Sequence, residues 1–245
     1  MSWMFPRSSG IHAPETREWI LGALYLPVFL FFLNFAILTY FPALGFPLTE
    51  PRNYFFANLL YMTVNFAAML LIFRRTLWQS LREFEGKMLL SVLIGFGMCY
   101  GANLVLTTAY TVLDIMPENY NQEAVNSLLG GYPLAMTLCT VVLAPLAEEC
   151  LFRGVLFAPL ARRCLPAAYA LSMFLFAGMH VFQFLGSMTA ANTILCLSLY
   201  LPASFSLCWV YQKTGNIWAG IFLHMFINFQ SVLASLLRSL MQAFL

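Results

Sequence analysis

Apolar residues gather in seven long stretches along the chain: Trp19 to Phe41, Tyr54 to Phe73, Met88 to Leu113, Pro133 to Leu160, Ala167 to Phe184, Thr189 to Tyr211 and Ile217 to Leu237. A helix rising about 1.5 Å per residue needs about 20 apolar residues to cross the hydrocarbon of a bilayer, and each stretch is close to that length. The pattern predicts an all-α fold, a polytopic transmembrane helix bundle of about seven spans. Short polar or Pro-marked connectors separate the stretches, as in Phe46-Pro47-Leu48-Thr49-Glu50-Pro51, and the longest interruption, Asp114 to Gly131, reads as an acidic loop. No tandem repeat, low-complexity tract or soluble segment breaks this layout, so residues 1–245 read as a single membrane domain, with 1–18 a cytoplasmic N-terminal segment. No small-x-small cleavage pattern closes the first stretch, which is expected to persist as an uncleaved span.

Composition strengthens this reading. Hydrophobic residues make up 61% of the chain and charged residues 9%, whereas a soluble domain of this size keeps about a quarter of its residues charged. The net charge of +2 is small and does not suggest recognition of nucleic acid through a basic surface. The placement of the basic residues says more than their sum. With the amino terminus cytoplasmic, Arg7, Arg17, Arg74, Arg75, Arg82, Lys87, Arg162, Arg163 and Lys213 fall on the inner side, leaving Arg52 and Arg238 outside, as the positive-inside rule requires. The six cysteines lie mostly within apolar runs and show no Cys-x-x-Cys pairing, so they read as small buried residues.

Against that apolar background the fourth stretch carries Glu148, Glu149 and Arg153. An ionisable group at mid-membrane costs about 2.5 to 3.5 kcal/mol even on lenient scales, so three together need compensation. At about 100° per residue, Arg153 lies roughly 40° around the helix from Glu149 but about 140° from Glu148. The geometry pairs Glu149 with Arg153 and leaves Glu148 facing elsewhere. Further polar residues occur in the apolar runs as Phe176-x-x-x-His180 and His224-x-x-x-Asn228. Counted from the inner ends of their spans, Glu148, His180 and Asn228 lie about 20 Å deep, with His224 about one turn shallower. Taken singly, each has a structural explanation, as an interhelical hydrogen bond or a strut. Together they make an acid-base set with a carboxamide donor, which helix packing does not require.

Three ordered motifs, Glu148-Glu149-x-x-x-Arg153, Phe176-x-x-x-His180 and His224-x-x-x-Asn228, resemble those of the CPBP (CAAX protease and bacteriocin-processing, or Abi) family of intramembrane glutamate endopeptidases. The resemblance covers a core over residues 133–229 and implies a site between spans 4, 5 and 7. It implies that Glu148 is the general base, that His180 helps to hold and activate the attacking water, that His224 and Asn228 stabilise the oxyanion, and that Glu149 and Arg153 brace the site. It further implies a peptide hydrolase, free of cofactors, acting on membrane-associated or lipidated peptides from within a bacterial plasma membrane; a homo-oligomer is compatible with it. A metal reading stays open, since Glu148, His180 and His224 would make three zinc ligands with an open fourth position, although there is no His-Glu-x-x-His helix. A non-catalytic scaffold or bacteriocin-immunity factor of the same fold is the main alternative. A proton-coupled transporter is another, but no inverted repeat accompanies these groups.

Smaller features have structural readings. Gly97-x-x-x-Gly101 permits close helix packing or dimerisation, with packing within the bundle the favoured reading. Pro27, Pro145, Pro159 and Pro202 are expected to kink their spans. Trp19, Trp78, Trp209 and Trp218 sit near predicted span ends, as interfacial anchors do. Cys150, without a basic neighbour in sequence, is expected to be inert.

Overall fold

The computed structural model describes residues 13–243, so Arg7 and most of the expected N-terminal segment lie outside the described residues. Within them the chain is helical without strands. Among the described residues seven helices are long and apolar enough to cross a membrane: α1 (Thr16–Ala43), α2 (Pro51–Ile72), α4 (Met88–Val112), α6 (Pro133–Ala161), α7 (Leu165–Val181), α8 (Ala190–Thr214) and α9 (Ile217–Ala243). Two shorter helices, α3 (Arg74–Arg82) and α5 (Tyr120–Gly131), join them. The protein is an all-α, multi-pass membrane bundle, as the hydropathy pattern predicts.

Both short helices were hidden from a reading by hydropathy, and each has a local cause. Asn119 caps α5, its side-chain oxygen accepting the Gln122 amide at 3.1 Å, so the expected acidic loop is helical over most of its length. The start of α3 is satisfied from another helix. Glu18 of α1, buried despite its charge, accepts the Arg75 amide at 2.9 Å and the Thr76 amide and hydroxyl. A carboxylate at the positive end of a helix has its charge compensated there, which lets α1 begin with Arg17 and Glu18 inside it.

Prolines shape α1 and α6. A proline brings no N–H and its ring crowds the carbonyl four residues back, so the surrounding turn widens and a carbonyl loses its donor. Pro27 precedes a π-helical turn at Val28–Phe32, Pro145 follows one at Cys139–Leu143, and Pro159 follows one at Cys150–Phe157. The carbonyl four residues before Pro159 belongs to Val155, and it accepts the indole N–H of Trp19 at 3.0 Å. Pro202 is carried within an unbroken α8, without a π turn.

α6 occupies the centre, packed against α1, α2, α7, α8 and α9. Its side chains from Pro145 to Val155 are all buried. Two expectations are corrected by this packing. Gly97 and Gly101 face open space, so they do not pack within the bundle; the close approach of α4 is made instead at Gly95, where an added Cβ would lie 2.5 Å from Val210 and 2.9 Å from Leu223. Trp209 is buried in the core and is no interfacial anchor, while the Trp218 indole donates to the Leu77 carbonyl at 2.8 Å.

Candidate active site

The site is built from α6, α7 and α9, with α2 and α8 alongside. On α6 the Glu149 carboxylate and the Arg153 guanidinium are wholly buried, with Nη1 3.1 Å from Oε1. The same Oε1 accepts from His224 Nδ1 of α9 at 2.9 Å. Arg153 Nη2 also donates to the carbonyl and hydroxyl of Ser204 at 3.2 Å, and the guanidinium lies 4.7 Å from the centre of the Phe176 ring. One carboxylate thus meets a guanidinium and an imidazole, which offsets the cost of burying the charge. The Glu149–Arg153 pair follows from helix spacing, but the contact with His224 does not. Gly220 makes room for it: a Cβ there would lie 3.1 Å from Glu149 Oε2.

Glu148, one residue earlier, points to different surroundings. The residue is 8% exposed, and its Oε2 has no hydrogen-bond partner within the described protein. His224 Nε2 is 3.8 Å from that oxygen, too long for a hydrogen bond. His224 therefore spans the two carboxylates, bonded to Glu149 and facing Glu148. Tyr61 of α2 and Tyr200 of α8 are also within electrostatic reach of Glu148. Behind Tyr61, Asn65 accepts the Tyr25 hydroxyl at 2.9 Å, and its own amide nitrogen is buried without a partner.

On α7, His180 Nδ1 lies 2.9 Å from the Phe176 carbonyl one turn earlier. A carbonyl can only accept, so the hydrogen sits on Nδ1 and Nε2 keeps its lone pair. The His180 ring stacks on Tyr200, with centroids 4.5 Å apart and planes 22° apart. Phe176 lies between the two histidines, 4.9 Å from His180 and 5.5 Å from His224.

Asn228, one turn beyond His224, donates from Nδ2 to the Thr140 carbonyl at 2.8 Å. The backbone explains why this carbonyl is available. In the π turn the Ala144 N–H goes to Cys139, and the next residue, Pro145, has no N–H to give. Asn228 therefore has one amide hydrogen engaged and a second left for other use.

The sequence reading named Glu148, Glu149, Arg153, His180, His224 and Asn228, and the structure gathers the carboxylates, Arg153 and His224 directly. His180 joins them across Phe176, and Asn228 adjoins them through its position on α9. Tyr61, Asn65 and Tyr200 were missed, since an isolated Tyr or Asn in an apolar run gives no motif. Among the described residues no three His, Cys, Asp or Glu side chains stand at metal-binding spacing.

Above the site, α5 lies against α7 and α9. Ser231 and Ser235 of α9 donate to Gln122 and Asn126 at 3.2 and 2.7 Å. Tyr120, at the start of α5, holds its phenolic proton more tightly than usual because it donates to Glu118 and faces that charge.

The structure defines a polytopic membrane protein with carboxylate and imidazole groups buried together inside a bundle of apolar helices. Residues 130–230 match a family model described as type II CAAX prenyl endopeptidase Rce1-like. The protein "Putative membrane peptidase YdiL" of Bacillus subtilis (strain 168) is 27% identical over 186 residues, 72% of this chain and 72% of that relative. No solved structure matches. All three ordered motifs fall inside the matched region, and both matches support the resemblance to the CPBP family. These comparisons support a membrane protease.

Proposed function

We propose that the protein is an intramembrane endopeptidase in which Glu148 activates water to hydrolyse a peptide bond. The observation that carries this is the contrast between adjacent carboxylates: both have a buried Oε2 without a hydrogen bond, but Glu149 is held at Oε1 by Arg153 and His224, whereas Glu148 has no such anchor and only faces His224 Nε2 at 3.8 Å. A buried carboxylate left without a counter-charge bonded to it is a candidate for chemistry, while one tied to a guanidinium is a strut.

In this reading a water gives one hydrogen bond to Glu148 and another to His180 Nε2, turning its lone pair toward the scissile carbonyl. The water oxygen attacks the carbonyl carbon as Glu148 takes the proton. The tetrahedral oxyanion accepts from Asn228, through the amide hydrogen that Thr140 leaves unused, and from His224 when its Nε2 is protonated. The C–N bond then breaks, and the proton passes from Glu148 to the leaving amine. Arg153 and Glu149 act by holding His224 and need not touch substrate.

The burial pattern supports a direction of approach. Side chains from Ser206 to Gln212 on α8 and most from Ile217 to His224 on α9 are buried, closing the end that carries the arginines. Toward the α5 end, Thr140, His180, Tyr200 and Asn228 are half-buried. With the amino terminus cytoplasmic in a plasma membrane, as the basic residues suggest, peptide reaches the site from the outer half. The test is cleavage of a quenched-fluorescent peptide library by detergent-purified protein. Glu148→Gln and His180→Ala should each lower kcat by about 10² to 10⁴-fold without loss of fold. Wild-type turnover by Glu148→Gln would sink the proposal, and a Glu148→Gln protein that unfolds would favour a scaffold held together by this residue.

A further inference from the structure

We propose that Tyr200 is a positioning residue for His180, fixing the plane of the imidazole and tying it to the segment that roofs the site. This rests on the protease reading for its effect on turnover, but the geometry stands apart from it. The Nδ1 bond to Phe176 holds one edge of the His180 ring, but the angular tolerance of a single hydrogen bond sets the tilt of the plane only loosely. Two ring contacts restrict that tilt further. Phe176 meets the imidazole tilted by 49°, whereas Tyr200 lies nearly parallel to it at 22°, so Tyr200 is the contact that sets the plane and with it the direction of Nε2.

Tyr200 is itself pinned at its far end. Its hydroxyl donates to Asn119 Oδ1 at 2.9 Å and accepts from Asn121 Nδ2 at 3.2 Å. Asn119 Oδ1 is also the cap of α5, so one oxygen joins the start of that helix to the tyrosine. Asn192, Cys196 and Tyr200 recur at four-residue spacing on one face of α8, and all three bond to the segment 118–121. Asn192 exchanges two hydrogen bonds with the Glu118 backbone, at 2.9 and 3.0 Å, and Cys196 Sγ donates to the Glu118 carbonyl at 3.1 Å. The segment is thereby clamped to α8 at three levels, and the lowest clamp is the ring that stacks on His180.

Histidine-labelled protein in detergent micelles tests this by magnetic resonance, with His180 identified through the signals lost in His180→Ala. A ring stacked on a tyrosine face has its protons shifted upfield. Tyr200→Leu should move those signals downfield, while Tyr200→Phe, which keeps the stack, should leave them near the wild-type position. On the same samples, Tyr200→Leu should lower kcat by about 10- to 100-fold with KM nearly unchanged, the size of loss that follows a misplaced group. In a His180→Ala background, Tyr200→Leu should add little further loss. Unmoved His180 signals in Tyr200→Leu, or a kcat within about twofold of wild type, overturn the proposal. A wild type that cleaves no peptide refutes the protease reading instead, and the ring signals then decide the positioning by themselves.

Discussion

Replacing Arg153 by methionine should destabilise the bundle more than replacing Arg153 and Glu149 together. The guanidinium is wholly buried, 3.1 Å from Glu149 and bonded to Ser204. Its removal leaves a carboxylate in the core of α6 with His224 as its remaining partner. Breaking a buried ion pair from one side costs about 3 to 5 kcal/mol, because an uncompensated charge stays behind. His224 still donates at 2.9 Å, so the lower part of that range, about 3 kcal/mol, is expected here. In Arg153→Met/Glu149→Gln the charge is gone, the methionine fills much of the arginine's volume and the new carboxamide oxygen can still accept from His224. That double variant should recover about half of the loss or more, since buried pairs exchanged for neutral groups of similar size are often close to neutral. The assay is reversible unfolding in mixed detergent micelles, followed by circular dichroism at fixed micelle composition. Equal loss in the single and double variants would refute the reasoning, since the cost would then come from packing and not from the stranded charge.

Other perturbations have separate signatures. Gly220→Ala pushes a methyl against Glu149 Oε2, a contact of 3.1 Å that needs a shift of a few tenths of an ångström; kcat should fall by about tenfold, with thermal unfolding little changed, as His224 is displaced. Asn228→Ala removes the donor to the Thr140 carbonyl and the proposed oxyanion donor at once, so it should cost about 1 to 3 kcal/mol in unfolding and about 10² to 10³-fold in kcat. Trp19→Phe strips the Val155 carbonyl of its donor while keeping an aromatic ring, and a loss of about 1 to 3 kcal/mol with unaltered kinetics is expected.

The spans were legible in the sequence because hydropathy over about 20 residues reports directly on the solvent a helix must cross. The Glu149–Arg153 pair was legible because both residues share one helix, where spacing alone fixes the angle between them. What the sequence concealed depends on contacts between elements. The His224–Glu149 bond joins residues 75 apart, and nothing local marks Gly220 as the gap that admits it. The short helices α3 and α5 lack a long apolar face and are fixed by remote or capping partners, Glu18 and Asn119. The Gly97 and Gly101 pair misled for the converse reason: small residues permit close packing without compelling it, and α4 turns Gly95 inward instead. The prolines were visible, but their chemical consequence was not. A carbonyl freed by Pro145 is what holds Asn228 in place, and that is seen only once α6 and α9 are side by side.

The central claim is that Glu148 activates water and does not itself attack the peptide. A single turnover of a cleaved peptide in ¹⁸O-water tests it most directly, with mass analysis of the new carboxyl terminus and of the enzyme. General-base attack places one ¹⁸O atom in the product and none in the protein, and the reaction is lost in Glu148→Gln. Product carrying only ¹⁶O in the first turnover, with ¹⁸O appearing in Glu148, would mean an anhydride intermediate and would contradict the account.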